Sequence, residues 1–228
     1  MSEGARQALW LGLQVAAGAS AVVLPPALAL AWVLARTSFR GKSVVETVVA
    51  LPLVLPPTAV GFGLLWLFAR DGPLGARTLG VDLDVLLTWR GAVLASAVMS
   101  FPLVVRTARV AFEEVEPRLE AMARTLGAGP VRAFVEATLP LARRGLLAAA
   151  VLGFTRALGE FGATIIVAGS IPGRTQTLAL RIFHDIQTGR EGEAMLLAGL
   201  TAAIAFVALW TAEALLRRGP GLRARRQP

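Results

Sequence analysis

Apolar residues in this 228-residue chain are concentrated in blocks long enough for an α-helix to cross the roughly 30 Å hydrocarbon core of a bilayer. Hydrophobic residues make up 55% of the sequence, whereas a soluble domain has about 45–50%. Inside lipid each segment must satisfy its own backbone hydrogen bonds, so the blocks are predicted to be helices. The chain is therefore predicted to be an all-α integral membrane protein with one transmembrane domain over 1–228. Its five predicted spans are 8–35, 44–68, 91–112, 145–168 and 194–216.

Two proline pairs fall inside the first two predicted spans. Pro25 and Pro26 lie in the first span, and Pro56 and Pro57 lie in the second. A proline removes a backbone donor and its ring crowds the preceding turn, so each pair is predicted to kink or break its helix. Such a break is tolerated where protein or a water-filled cavity covers it. The pairs do not occupy matching halves of the chain, which argues against a secondary transporter built from inverted repeats.

The distribution of basic residues predicts the orientation in the membrane. The net charge is +8, and most Lys and Arg residues fall in 36–42, 106–144 and the C-terminal segment 217–228. The positive-inside rule places these segments in the cytoplasm, with the N-terminus outside and the C-terminus cytoplasmic. The basic residues form no contiguous patch interleaved with aromatic residues, so nucleic acid is not a predicted partner.

Residue types that the sequence lacks exclude several kinds of chemistry. It has no cysteine and one histidine, His184, so neither a disulfide nor a metal centre is predicted. The stretch RGKS at 40–43 ends like a phosphate-binding loop, but Arg36 stands where that loop needs its first glycine. Glu160 is the only acidic residue well inside a predicted span, which leaves an intramembrane enzyme without paired acids. The chain is predicted to bind no cofactor and to catalyse no reaction itself.

The segment 113–144 has the pattern of a helix–turn–helix between the third and fourth spans. Pro117 suits the first turn of one helix and Gly127 suits its C-terminal cap. Pro130 can open a second helix, which Pro140 would end. Two interpretations are open: the pair lies on the bilayer surface, or it docks into a partner protein. The apolar residues at helical spacing are Leu119, Met122, Ala123 and Leu126 in the first helix and Val131, Phe134, Val135 and Leu139 in the second.

Two opposite charges, Arg156 and Glu160, lie within the fourth predicted span. They are four residues apart, so on a helix they would share one face. A charge at the bilayer centre costs about 2.5–3.5 kcal/mol on insertion scales, far more than the roughly 0.2–0.5 kcal/mol that an exposed pair contributes. The pair is therefore predicted not to face lipid. A structural role against neighbouring helices and a pore-lining role both stay open.

The cytoplasmic segment resembles the EAA loop of permease subunits of ABC importers. Gly127, followed after nine residues by Ala137, one further position and Leu139–Pro140, falls in the register of that motif. Positions 121–123 lack the glutamate that names the motif, and Glu120 lies one residue early. The stretches LPLVLPPTAVGFGLL (51–65), RALGEFGATIIVAG (156–169) and RLEAMARTLG (118–127) are similar to the molybdate permeases among these importers.

This resemblance implies the fold of a type I ABC importer permease, a multi-pass protein of the prokaryotic cell (inner) membrane. It implies a homodimer, and two cytoplasmic ABC ATPase subunits that bind 113–144 and hydrolyse the ATP. It also implies an extracytoplasmic oxyanion-binding protein, for which the outer segments 70–90 and 170–193 are the predicted platform. The transported ion would be molybdate, with tungstate or sulfate and thiosulfate as the alternatives.

The amphipathic stretch at 178–188 is predicted to lie along the outer surface as part of the gate. Two sets of residues are predicted to carry the function. The residues predicted for the translocation path or gate are Thr58, Ser100, Arg156, Glu160 and Thr164. The residues predicted to couple to the ATPase are Leu119, Met122, Leu126, Gly127, Ala128, Val131, Phe134, Leu139 and Pro140.

Overall fold

The computed structural model of the chain describes residues 1–217, and the regular structure within them is all helical. Most of the predicted cytoplasmic tail, 218–228, lies outside the described residues. A π-helical turn, Phe134–Thr138, joins α7 to α8. The α-helices are α1 Glu3–Arg36, α2 Lys42–Val54, α3 Pro57–Phe68, α4 Ala76–Leu79, α5 Trp89–Glu113, α6 Pro117–Thr125, α7 Pro130–Ala133, α8 Leu139–Leu158, α9 Gly162–Ala168, α10 Leu178–Gln187 and α11 Glu191–Arg217.

Within residues 1–217, four helical stretches are long and apolar enough to cross a membrane, and the bent pair α2–α3 counts as a fifth. The all-α prediction is confirmed. The second and fourth predicted spans differ in shape from single straight helices, as described below. The four stretches are Glu3–Arg36, Trp89–Glu113, Pro130–Leu158 and Glu191–Ala214.

The core forms where α1, α5 and α8 pack closely through small side chains. Ala19 and Ala27 of α1 and Ala108 of α5 are completely buried. A Cβ atom added to Gly153 of α8 would lie 2.5 Å from Cγ2 of Val104, so only glycine fits there. Small residues allow this close approach of helix backbones, which is the usual source of helix association in lipid.

Helix α1 continues through its proline pair. Pro25 and Pro26 lie inside one helix that runs from Glu3 to Arg36, so a break does not occur at this pair. Val23 and Ala27, on either side of the pair, are both buried in the core. Packing against α5 therefore holds both halves of α1 in one helix despite the missing backbone donors.

The second proline pair does break its span, as predicted. Helices α2 and α3 meet at an angle of 110°. Leu55 is extended, with φ −69° and ψ 143°, because a residue before proline is disfavoured in the helical region. Pro57 occupies the first turn of α3, where no backbone donor is needed. Helix α2 has no buried residue, and an ion pair between Glu46 and Arg109 of α5, 2.8 Å apart, ties it to the core.

The prediction that Pro140 ends the second helix of the 113–144 segment is wrong. The helix that opens at Pro130 passes through the π-helical turn into α8 and ends at Leu158. In this turn the Leu139 N–H bonds to the carbonyl of Phe134, five residues earlier. Pro140 lacks an N–H and its ring would crowd the carbonyl four residues back in a regular helix. The wider turn gives the ring room, so the helix continues.

The fourth predicted span, 145–168, is not one helix. Helix α8 ends at Leu158, and the short helix α9 begins at Gly162 after a break. Helix α9 packs on α3 and α5. The broken fourth span therefore lies against the broken second span, and the start of α9 approaches the start of α3 so closely that a Cβ on Gly162 would lie 2.8 Å from Cβ of Pro57.

The contact between α3 and α9 yields a test of this packing. A Cβ on Gly61 would lie 2.8 Å from Cα and 2.9 Å from the carbonyl oxygen of Ala163, whereas a Cβ on Gly63 would meet nothing within 4 Å. We expect Gly61→Ala to destabilise the protein by about 1–3 kcal/mol through overpacking. Gly63→Ala, in the same helix, should be neutral or stabilise it by up to about 1 kcal/mol. Thermal unfolding of the purified protein in detergent measures both, and equal unfolding temperatures would contradict the packing.

Candidate functional site

Glu160 occupies the break between α8 and α9 and binds groups on both sides of it. Its Oε2 accepts from Nη1 of Arg156 at 2.7 Å, and its Oε1 accepts from the backbone N–H of Ala163 at 2.9 Å. The Glu160 side chain is 2% exposed and that of Arg156 is 29% exposed. The carboxylate thus pairs with a cation and satisfies a free N–H at the start of α9. The expectation that both residues share one regular helix is wrong, because Glu160 lies beyond the end of α8.

The three other residues predicted for the path lie on three different helices. Thr58, at the start of α3, is exposed, and its backbone nitrogen lies beside Gly162. Ser100 of α5 is buried and donates to the Ser96 carbonyl at 2.8 Å, within its own helix. Thr164 of α9 is completely buried, and its hydroxyl has no partner among the described residues. The structure therefore brings Thr58 close to the α8–α9 break, whereas the Ser100 hydroxyl is hydrogen-bonded to the backbone of its own helix.

The amphipathic stretch at 178–188 forms a helix, α10, whose two charged residues, Arg181 and Asp185, are buried inside the protein. Arg181 pairs with Asp185 at 2.8 Å, and their side chains are 8% and 0% exposed. Arg181 is therefore not accessible on the outer segment 170–193, which is predicted to receive the binding protein. Phe183 of α10 also contacts Phe161 in the α8–α9 break, with ring centroids 5.0 Å apart.

Sequence reasoning missed Asp185, although its spacing from Arg181 is the same four residues that drew attention to Arg156 and Glu160. Within residues 1–217, no group of His, Cys, Asp and Glu side chains could hold a metal ion.

The segment 113–144, which is predicted to be cytoplasmic and which we call the coupling segment, exposes most of its apolar side chains. Gly127 has φ +89°, so the turn between α6 and α7 uses the left-handed conformation that glycine permits. Leu126 and Val131 beside that turn are 86% and 76% exposed. Of the residues predicted to couple, Leu119, Met122, Leu126, Gly127, Val131, Leu139 and Pro140 are exposed, and Ala128 and Phe134 are partly buried.

Phe134 points toward the membrane helices and not away from them. Its ring contacts Trp32 of α1 at a centroid distance of 5.5 Å and Phe112 of α5 at 6.1 Å. Val131, three residues earlier, is 76% exposed, so the two side chains that the spacing placed on one side of the helix are unequally buried. This aromatic contact attaches the coupling segment to α1 and α5.

Comparison with known proteins agrees with this geometry. Residues 27–218 match the family described as "Binding-protein-dependent transport system inner membrane component". The chain is 46% identical over 213 residues to the molybdenum transport system permease protein ModB of Escherichia coli (strain K12), which covers 92% of this chain and 93% of that protein. It is 36% identical over 191 residues to the sulfate transport system permease protein CysT of the same organism, which covers 84% of this chain and 69% of that protein.

Two solved structures share the fold. A bacterial ABC transporter involved in the import of the acidic polysaccharide alginate aligns with a TM-score of 0.74 at 18% identity, covering 96% of this chain and 80% of that chain. The MetNI methionine ABC transporter aligns with a TM-score of 0.64 at 19% identity, covering 94% and 99%. The predicted all-α fold of a type I ABC importer permease is confirmed.

The contacts of Glu160 predict that it stabilises the break between α8 and α9. Glu160→Ala would leave Arg156 without its partner and Ala163 without an acceptor, at a cost toward the lower end of about 3–5 kcal/mol because Arg156 is partly exposed. Glu160→Gln keeps an acceptor for Ala163 and should cost less. Asp71→Asn, which breaks an exposed pair with Arg77, is the control and should change stability by about 1 kcal/mol or less. Thermal unfolding in detergent ranks the three variants, and an equal effect of Glu160→Ala and Asp71→Asn would refute the role.

Proposed function

The chain belongs to the family of binding-protein-dependent transport system inner membrane components, and on that premise we propose that it is the permease subunit of an ATP-driven importer of molybdate. The identity to the molybdenum transport system permease protein, over nearly the full length of both chains, is the observation that carries the substrate. In this function the subunit provides the translocation path, and partner subunits hydrolyse the ATP.

Sulfate is the second candidate substrate. The sulfate permease is also similar, but at lower identity and over a smaller part of its own length. Molybdate and sulfate are both tetrahedral oxyanions with the same charge, so neither the fold nor a cationic side chain alone separates them. Tungstate resembles molybdate still more closely and would use the same path. The longer and stronger similarity favours molybdate.

The exposed bend between α2 and α3 supports a homodimer. A break in a helix at membrane depth leaves backbone groups without partners, and these must be covered by protein or by a water-filled cavity. In the single chain Leu55, Pro56 and Pro57 at the bend are all exposed, and α2 has no buried residue. A second copy of the chain would cover this face, and a path between the two copies would supply the cavity.

The exposed apolar residues of the coupling segment support docking to two cytoplasmic ATPase subunits. Leu126 and Val131 flank the turn at Gly127 and are both largely exposed. An amphipathic pair lying on the bilayer would also bury such residues, but it would not require the register of the importer motif. We therefore assign the segment to the ATPase, with the C-terminus in the cytoplasm and the N-terminus outside.

A cavity of about 860 Å³ supports docking of an oxyanion-binding protein on the opposite side. Its lining includes Arg90 from one predicted outer segment and Arg174 from the other, together with Gln14 of α1. The structure thus joins the two outer segments around one concave surface. Arg174 is exposed there, in contrast to the buried Arg181.

For the path itself, unequal burial suggests different roles for the two charges at the α8–α9 break. Glu160 is enclosed and fixes the break, whereas Arg156 keeps part of its guanidinium accessible. We assign Arg156 to the path and Glu160 to its support. Thr58 is exposed beside the same break, and we assign its hydroxyl to the path as well.

Uptake measurements test the proposed substrate. Proteoliposomes that contain the chain assembled with its ATPase, supplied with the binding protein, should accumulate radiolabelled molybdate only when ATP is present. Excess unlabelled tungstate should compete, because its charge and size are nearly the same, and excess sulfate should not. Competition by sulfate equal to that by molybdate would favour the sulfate alternative, and no uptake of any of the three ions would exclude the proposal.

Replacing Gly127 tests the coupling segment. A β-branched residue at φ +89° is strained by about 1–3 kcal/mol, so Gly127→Val should tilt α7 and reduce co-purification of the ATPase about tenfold. Gly129→Val is the matched control, since Gly129 has φ −64° and open space around a Cβ. Both variants should insert in the membrane normally. Full ATPase recovery and normal uptake with Gly127→Val would mean that this turn does not couple the subunits.

A further inference from the structure

Helix α6, the first helix of the coupling segment, is attached to the rest of the chain by few contacts. None of its residues is buried, and it packs chiefly on α7 and the π-helical turn. Its link to α7 runs through Gly127 and Gly129, where an added Cβ would meet nothing within 4 Å. Hydrophobic burial therefore contributes little to the angle of α6, and the backbone hydrogen bonds of the turn, from Gly127 to Arg124 and from Ala128 to Ala123, hold it only locally.

One side-chain hydrogen bond joins α6 to the segment that leads into α8. Thr138 Oγ1 donates to Glu120 Oε2 at 2.9 Å, across 18 residues of sequence. Thr107, Thr155 and Thr201, in other helices, each donate instead to the carbonyl four residues earlier in their own helix. The Thr138 hydroxyl is completely buried and has a carboxylate acceptor, which makes this bond short-range, directional and stronger than a neutral one.

Thr138 lies where a displacement of α6 can reach the membrane helices. It is the last residue of the π-helical turn, and α8 continues from the next residue to Leu158 without interruption. The far end of α8 carries the break at which Glu160 binds Arg156. Turns of the π type are frequent at functional sites in helices. The Glu120–Thr138 bond therefore connects the exposed helix of the coupling segment to the helix that ends at the candidate path.

We propose that Glu120 is a positioning residue: its hydrogen bond from Thr138 fixes the angle of α6 against α8, so that a movement imposed on α6 is passed to α8 and not lost at the glycine turn. This inference rests on the proposed role of the coupling segment in binding the ATPase. It gives a function to a glutamate that lies one residue outside the expected motif position. Without the bond, α6 would still bind the ATPase through its exposed apolar residues but would pivot at Gly127.

Hydrogen–deuterium exchange of the full chain in nanodiscs, without ATPase, tests the bond itself. Thr138→Val keeps the shape and removes the donor, so the amides of 117–125 should exchange about tenfold faster. Thr138→Ser keeps the hydroxyl and should restore slow exchange. Glu136→Gln is the matched control, because Glu136 lies in the same turn but makes an exposed pair with Arg132. Unchanged exchange in Thr138→Val would overturn the proposal.

Transport by the assembled importer tests the positioning role. Thr138→Val and Glu120→Ala should each lower the molybdate moved per ATP hydrolysed severalfold while ATP hydrolysis continues, and Thr138→Ser should restore the ratio. The double variant should lower the ratio no further than the more severe single variant, since the two substitutions remove the same hydrogen bond. Faster exchange with an unchanged transport ratio would overturn the positioning role. Absence of molybdate transport by the native assembly would instead reject the proposed function, while the exchange result would still decide whether the bond holds α6.

Discussion

The close packing of α5 against α1, α8 and α9 is the interaction on which the rest of the structure depends. In lipid, apolar side chains gain nothing by leaving the solvent, so helices associate through van der Waals contact at short range. Helix α5 presents small buried residues to its neighbours, among them Ala92, Ala97 and Ala108. Its buried Ser100 satisfies its own hydroxyl within the helix and so adds little bulk and no unpaired donor. A larger residue at Gly145 or Gly153 of α8 would push that helix off this surface.

With α5 and α1 fixed, the two broken spans can pack on each other. The first turns of α3 and α9 lie against each other. Gly61 and Gly162 lack a Cβ and so allow the backbones of the two helices to come into contact. The breaks leave polar backbone groups without helical hydrogen bonds, which a bilayer would not tolerate. One of these groups, the Ala163 N–H, donates a hydrogen bond to the Glu160 carboxylate. Helix α2 has no buried residue, so its surface remains uncovered in the single chain.

The sequence was most informative where a single physical rule decides the structure. Hydrophobic length gave the all-α membrane fold, the Pro56–Pro57 pair gave the break, and Gly127 gave the turn with positive φ. It was least informative where neighbours decide. Pro25 and Pro26 stay within one helix because tertiary packing holds them there, and Pro140 is passed because a π-helical turn makes room. The break before α9 could not be predicted from spacing, since Arg156 and Glu160 are also correctly spaced for one face of an unbroken helix. The hydrogen bond from Thr138 to Glu120 depends on the π-helical turn, which no local sequence pattern predicts.

On the proposed function, the pairing of charges at the α8–α9 break suits the passage of an anion better than a lone arginine would. At 4 Å and an effective dielectric constant of about 20, a unit charge attracts a divalent anion by about 8 kcal/mol before the desolvation of either ion is subtracted. Conduction requires sites that attract an ion and still release it. Glu160 lies 2.7 Å from the Arg156 guanidinium and cancels much of its field, while burial keeps the carboxylate itself away from an approaching oxyanion. In this role the Glu160 carboxylate both stabilises the break and prevents Arg156 from binding the oxyanion too tightly. The stability of the break and the release of the anion therefore depend on one side chain.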